Sequence, residues 1–241
     1  MTKLIFLCLS LIALTGTFLA QDTKKPWTEW SRKEAEKILN DSAWGQTQTT
    51  HTAEKVDTTV ITATQSGRNQ NDRTGESGET MGPKPMNFRA RFLTARPIRE
   101  AFARMIILSQ PDAGKELTDQ LQGFIDRDFG KYLVVALSVD SEDKRSSGVA
   151  MTALGRLTTD ILKEKVYIER KDGKRLALMD YRAPIADNLG AKFIFERTLD
   201  GQPFLTDQSD TVRFVIDLSE KMKVNIKFKV SAMAYGGKLE Y

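Results

Sequence analysis

The chain has 241 residues, 40% hydrophobic and 28% charged, with 36 Lys and Arg against 32 Asp and Glu for a formal net charge of +4. Such a composition is that of an ordinary globular protein, and the mild basicity does not by itself argue for nucleic acid. One cysteine, Cys8, and one histidine, His51, exclude more: thiol nucleophiles, Cys/His zinc sites and most acid–base chemistry near neutral pH lack their side chains.

Met1, Thr2 and Lys3 form a short positive start, Leu4 to Leu14 an apolar run, and small residues follow up to Ala20, the pattern of a signal peptide over residues 1–20. Cleavage is expected after Ala20; a cut near Thr17 and an uncleaved anchor are the alternatives, since Phe18 is large for its position. The mature protein is then exported, periplasmic or extracellular, and free of cysteine. No later stretch approaches the ~18 apolar residues of a membrane-spanning helix.

The mature chain opens with a segment, 27–44, that holds all three tryptophans, Trp27, Trp30 and Trp44. Ser31 and Glu34 form a capping box, and Trp30 and Ala35 occupy the positions of a hydrophobic staple. Ala35, Ile38 and Leu39 extend the apolar stripe, and Gly45 ends it. The indoles suit a stacking platform for a sugar ring or a docking surface, or else anchors of a short helix on the body of the fold; the anchor is favoured because a short helix needs tertiary packing to persist.

This PWTEW opening with KILNDSAWG, together with the final GGKLEY, resembles a family of secreted, acidobacterial-type bacterial proteins that begin PWxEW…KILNxSxWG. The resemblance covers both ends of the chain and brings no known activity, ligand or catalytic residue. Ala43 stands where that family carries proline, a departure confined to the helix exit.

Beyond Gly45, Val56 to Ala63 alternates as a strand, with His51 in polar surroundings before it, and residues 65–85 lack periodicity and read as a mobile loop. Asn87 to Ala95 is the next strand, with Phe88, Ala90 and Phe92 facing one way and Arg89 and Arg91 the other. Pro97 starts a helix through Ile106, and a second follows from about Ala113 with Asp112 as its cap. Tyr132 to Val139 is apolar throughout, the pattern of a strand covered on both sides. A helix through Ala150, Ala153, Leu154, Leu157 and Ile161 comes next.

Asp172-Gly173 then joins Val166–Arg170 to Arg175–Met179 as a hairpin, Ala191 to Arg197 is another strand, and Asp200-Gly201 marks a turn. Two alternating strands through Val212–Leu218 and Val224–Ala232 finish the chain. The sum is a single α+β domain over residues 21–241: a mainly antiparallel sheet of about seven or eight strands with helices packed largely on one face.

Candidate functional residues are few. Lys223, Lys227 and Lys229, with Arg213 beside them, form a basic sheet face that suits an anionic polymer, although lysines there also keep a sheet from pairing edge to edge. Phe214 and Phe228 point the other way, which counts against nucleic acid. Carboxylates are the remaining catalytic currency: Asp126, Asp128, Asp140, Glu142, Asp143, Asp180 and Asp187 lie near turns and helix ends, where turn-shaping is their commoner role. GxSxG, HExxH, Walker and dinucleotide patterns are absent, and no cofactor or metal site is expected. The expectation is an exported, non-enzymatic binding or structural protein with an envelope polymer or protein partner, Trp27, Trp30, Trp44 and the basic face being its binding candidates. The alternative is a carbohydrate-active hydrolase with paired carboxylates.

Overall fold

The computed structural model describes residues 25–50, 85–112, 114–219 and 222–241, and of Ser219 and Met222 the backbone only. The expected signal segment, His51, the strand expected at 56–63 and all of the loop expected at 65–85 except Pro85 lie outside the described residues.

Helix α1 (Arg32–Asn40) starts on the predicted capping box: Glu34 N–H donates to Ser31 Oγ at 3.3 Å and Ser31 N–H to Glu34 Oε2 at 2.6 Å. That backbone bond, with the Ser31 hydroxyl and Lys25, holds the Glu34 carboxyl down at about 2. Trp30 and Ala35 are both buried, as a staple requires. β1 (Gly45–Thr50) begins directly at the helix exit, earlier than the strand expected from alternation. Close approach explains it: a Cβ on Gly45 would stand 2.3 Å from Leu39 O.

Eight strands form one antiparallel sheet. They are β1, β2 (Met86–Phe92), β3 (Tyr132–Ser141), β4 (Val166–Arg170), β5 (Arg175–Arg182), β6 (Ala191–Glu196), β9 (Thr211–Ser219) and β10 (Met222–Lys229), in the order β1-β2-β3-β6-β5-β4-β9-β10. Two short hairpins, β7–β8 (Thr198–Leu199, Gln202–Pro203) and β11–β12 (Ala234–Tyr235, Lys238–Leu239), lie apart from it. Register puts Phe92, Val135 and Phe193 on one face, which curls inward until Phe92 meets Phe228 of β10 with ring centroids 4.8 Å apart, while Phe193 meets Phe214 at 5.2 Å. The result is nearly a barrel, filled by aromatic and branched side chains.

Its edges are clipped rather than paired. The Gln48 amide on β1 donates to Lys223 O at 3.0 Å and accepts from Asn225 N–H at 2.8 Å, standing in for a peptide unit along β10.

Helix α1 packs outside β1 and β2, α2 (Arg96–Ser109) packs on α1, and α3 (Lys115–Ile125) packs on α2. Alternation puts Arg91 on the wet side of β2, yet α1 buries it: its guanidinium donates to Leu39 O, Asn40 Oδ1 and Ser138 Oγ, and desolvation lowers it to about 10. Two expectations fail locally. α3 is capped by the backbone of Gly114 with no side-chain bond, so Asp112 is not its cap. The helix expected through Ile161 is two, α4 (Lys144–Gly155) and α5 (Thr159–Leu162), because Thr158 Oγ1 accepts from Ile161 N–H and starts a fresh helix whose register leaves Ile161 exposed. The inward-facing Tyr181 donates to Leu154 O at 2.7 Å, which ties α4 over one end of the interior. Among the described residues no helix is long and apolar enough to cross a membrane.

Candidate functional site

The three indoles are absorbed by the fold. Trp27 and Trp30 are buried, and the Trp30 N–H donates to Lys25 O at 3.1 Å. Trp44 is half-buried, edge-on to Tyr235, with its N–H on Glu240 O at 2.7 Å. Since Glu240 Oε1 also accepts the Arg96 N–H at 2.8 Å, the two sequence motifs at the chain ends meet at the start of α2.

Arg213, Lys223, Lys227 and Lys229 are all exposed, and two of the four, Arg213 and Lys223, are paired with carboxylates. Lys227 stands opposite Arg213 across β9–β10, and Lys223 opposite Asp217, its ion-pair partner at 3.6 Å. Buried Glu169 on β4 pairs with Arg213 at 2.5 Å and Arg175 at 2.7 Å, and its hydrogen bond from Arg175 is the main cause holding its carboxyl below the usual range. Asp210, held low chiefly by Lys171, also feels the fields of Lys227 and Lys229.

Four of the seven carboxylates do structural work or lie apart. Asp143 caps α4, Asp126 pairs with Arg96 at 2.9 Å, Asp140 pairs with Arg89 at 3.1 Å, and Glu142 is exposed before α4. The other three, Asp128, Asp180 and Asp187, come together along a groove of about 860 Å³ on the outside of β3, β6 and β5. Val134 and Ile194, outward residues of β3 and β6, belong to its lining, as do Phe124 of α3, Phe129 of the loop after it and Tyr132 at the start of β3.

Two devices set the walls. Gly190, at φ +86°, lets the loop after β5 press onto β3, since a Cβ there would be 2.2 Å from Leu137 O. That loop is closed by Leu189 N–H on Asp187 Oδ1 at 3.0 Å and by Lys192 on Asp187 Oδ2 at 2.7 Å. On the other wall, buried Arg99 of α2 donates to Ile125 O at 2.8 Å and to Leu93 O and Thr94 O, and stacks over Phe129 at 5.2 Å. It thereby fixes the loop that carries Arg127, Asp128 and Lys131.

Every carboxylate in the groove already has a partner. Asp180 accepts from Thr159 and from its neighbour's N–H on Tyr181 and pairs with Arg182 at 2.9 Å, while Asp128 accepts from Gly130 N–H at 2.8 Å. Arg127 and Lys131 are exposed and make no ion pair among the described residues; Lys131 lies over the Tyr132 ring at 5.6 Å. The groove thus presents two unpaired cations beside an apolar and aromatic lining. Among the described residues no group of three potential metal ligands occurs.

Phe124, Asp187 and Leu189 also line a second, adjacent cleft of about 390 Å³ between the helices, whose apolar lining is Leu39, Phe102, Met105, Ile106 and Leu121. Sequence reasoning singled out Asp128, Asp180 and Asp187 but neither the cations beside them nor Arg99, Gly190 and Lys192. The only available signal for these was the run Arg127-Asp128-Phe129-Gly130-Lys131, which mixes charge, an aromatic and a turn residue.

Comparison with protein-family models gives no match, and comparison with curated protein sequences gives none. Among solved structures, a protein of unknown function from Burkholderia pseudomallei K96243 matches over 63% of this chain and 79% of its own, at 11% identity and a TM-score of 0.41.

Proposed function

We propose that this is an exported, non-enzymatic binding protein of the cell envelope or extracellular space, which holds an anionic ligand in the groove outside β3, β6 and β5. The observation that carries this reading is the pairing state of the groove: its three carboxylates are bonded within the protein, while Arg127 and Lys131 are not. Carboxylate hydrolysis needs one group free to donate a proton and a second facing the reacting carbon or its water, whereas recognition of an anion needs unpaired cations next to a surface that excludes water. The apolar lining supplies that surface.

Convergence of Asp128, Asp180 and Asp187 on one groove favours carbohydrate hydrolysis as the second reading. Titration of the full chain with three anionic probes, oligogalacturonate, dextran sulfate and a long-chain carboxylate, separates the two. Binding of at least one probe, weakened about tenfold by Arg127→Ala with Lys131→Ala and unchanged by Lys223→Ala with Lys227→Ala and Lys229→Ala, is the expected result. Turnover of a carbohydrate that Asp180→Asn or Asp187→Asn abolishes would overturn it.

A further inference from the structure

We infer that the groove and the helical cleft beside it form one binding site for a single-chain anionic amphiphile, a long-chain carboxylate, with its head at Arg127 and Lys131 and its tail between the helices. The inference rests on the binding reading above and adds the chemical class of the ligand.

Two adjacent cavities share three lining residues. Phe124 of α3 and Leu189 of the loop after β5 line both, so a ligand in one meets no charged barrier on these two side chains in passing to the other; Asp187, the third shared residue, is held by Lys192 and Leu189 N–H. Polarity changes along the path. The sheet end carries four cations and three carboxylates, while the helix end is lined mainly by Leu39, Phe102, Met105, Ile106 and Leu121, with Arg32, Ser109, Asp187 and Asn188 as its polar residues. That gradient matches one molecule with an ionic head and an apolar tail.

Charge narrows the head further. Arg182 and Lys192 are neutralised by Asp180 and Asp187, at 2.9 and 2.7 Å, so the cations left for a ligand are those of the loop held by Arg99. Arg127 and Lys131 flank Asp128, which among the described residues accepts only from Gly130 N–H, so the loop carries one net positive charge, a match for a single carboxylate. The helical cleft, about 390 Å³, lies at the small end of ligand-sized cavities and fits one chain rather than two. A purely polar polysaccharide would leave the cleft empty, and a neutral sterol would leave Arg127 and Lys131 without a partner.

Calorimetric titration of the full chain with saturated carboxylates from hexanoate to palmitate, below their micelle concentrations, tests the assignment. Affinity is expected to rise roughly two- to fourfold per added methylene until the cleft is filled, then level off. Arg127→Ala with Lys131→Ala weakens the whole series by a common factor, and Met105→Glu removes the dependence on length. A diazirine at the tail end should crosslink to α2 residues near Met105, which settles the tail's position even if Met105→Glu fails to fold. Affinity independent of chain length but still sensitive to Arg127 and Lys131, or binding of oligogalacturonate or dextran sulfate alone, would overturn the amphiphile and leave the binding function standing. Loss of sensitivity to Arg127 and Lys131 with every probe would overturn both.

Discussion

Two outward surfaces of the same sheet carry cations, and they differ in what surrounds the charge. On β9 and β10 the pattern Lys223, Lys227, Lys229 and Arg213 is conspicuous in the sequence; Asp217 pairs with Lys223 and Glu169 with Arg213, while Lys227 and Lys229 make no ion pair among the described residues and line neither the groove nor the helical cleft. On β3, β6 and β5 the cations are scattered through the chain, and the fold pairs Arg182 and Lys192 while leaving Arg127 and Lys131 unpaired beside apolar side chains. The lesson is that unpaired charge along a strand does not by itself make a binding surface; an apolar groove next to that charge does.

The contrast can be broken most directly at the groove wall. Gly190→Ala should cost at least about 2 kcal/mol in urea unfolding, because the new methyl meets Leu137 O and the residue loses its positive φ; the same change should abolish groove binding. Arg99→Met comes next, at about 2–3 kcal/mol, since the carbonyls of Leu93, Thr94 and Ile125 lose their donor. Its distinguishing outcome is a loss of ligand affinity although Arg99 itself does not line the groove.

On the other surface, Glu169→Gln should destabilise by about 1–2 kcal/mol at pH 7, by leaving Arg175 and Arg213 facing each other. The sign with pH follows from the direction of its shift. Because the folded protein holds Glu169 below its ordinary value, its contribution is present at neutral pH and disappears as pH falls below about 4.5 toward the depressed value, so the difference between Glu169→Gln and the parent should close on acidification. The smallest effect is predicted for Lys223→Ala, Lys227→Ala and Lys229→Ala together: within about 1 kcal/mol in stability, with no change in groove binding. A large loss of binding there would reverse the comparison.

Local physics was legible in the sequence where it decides structure by itself. The Ser31–Glu34 box, the Asp172-Gly173 hairpin, the alternation of Phe88, Ala90 and Phe92, and the doubly covered β3 are all found where the residues place them. Thr158 was not legible as a helix start, because it interrupts an apolar spacing that Leu157 and Ile161 continue. Nor was the wet or dry state of Arg91, since alternation assigns a face and says nothing about which helix lies on it.

The sequence alone determined the class, an antiparallel α+β protein with a capped tryptophan helix and little nucleophilic chemistry, because periodicity, capping and composition act over neighbouring residues. Only the tertiary structure decided that the sheet nearly closes, that Gln48 clips its edges, and that Arg127, Asp128, Asp180, Asp187 and Lys192 share one groove. The physical reason is range: pairing and desolvation act over a few ångströms in space, between residues from different strands and loops that sequence spacing does not connect.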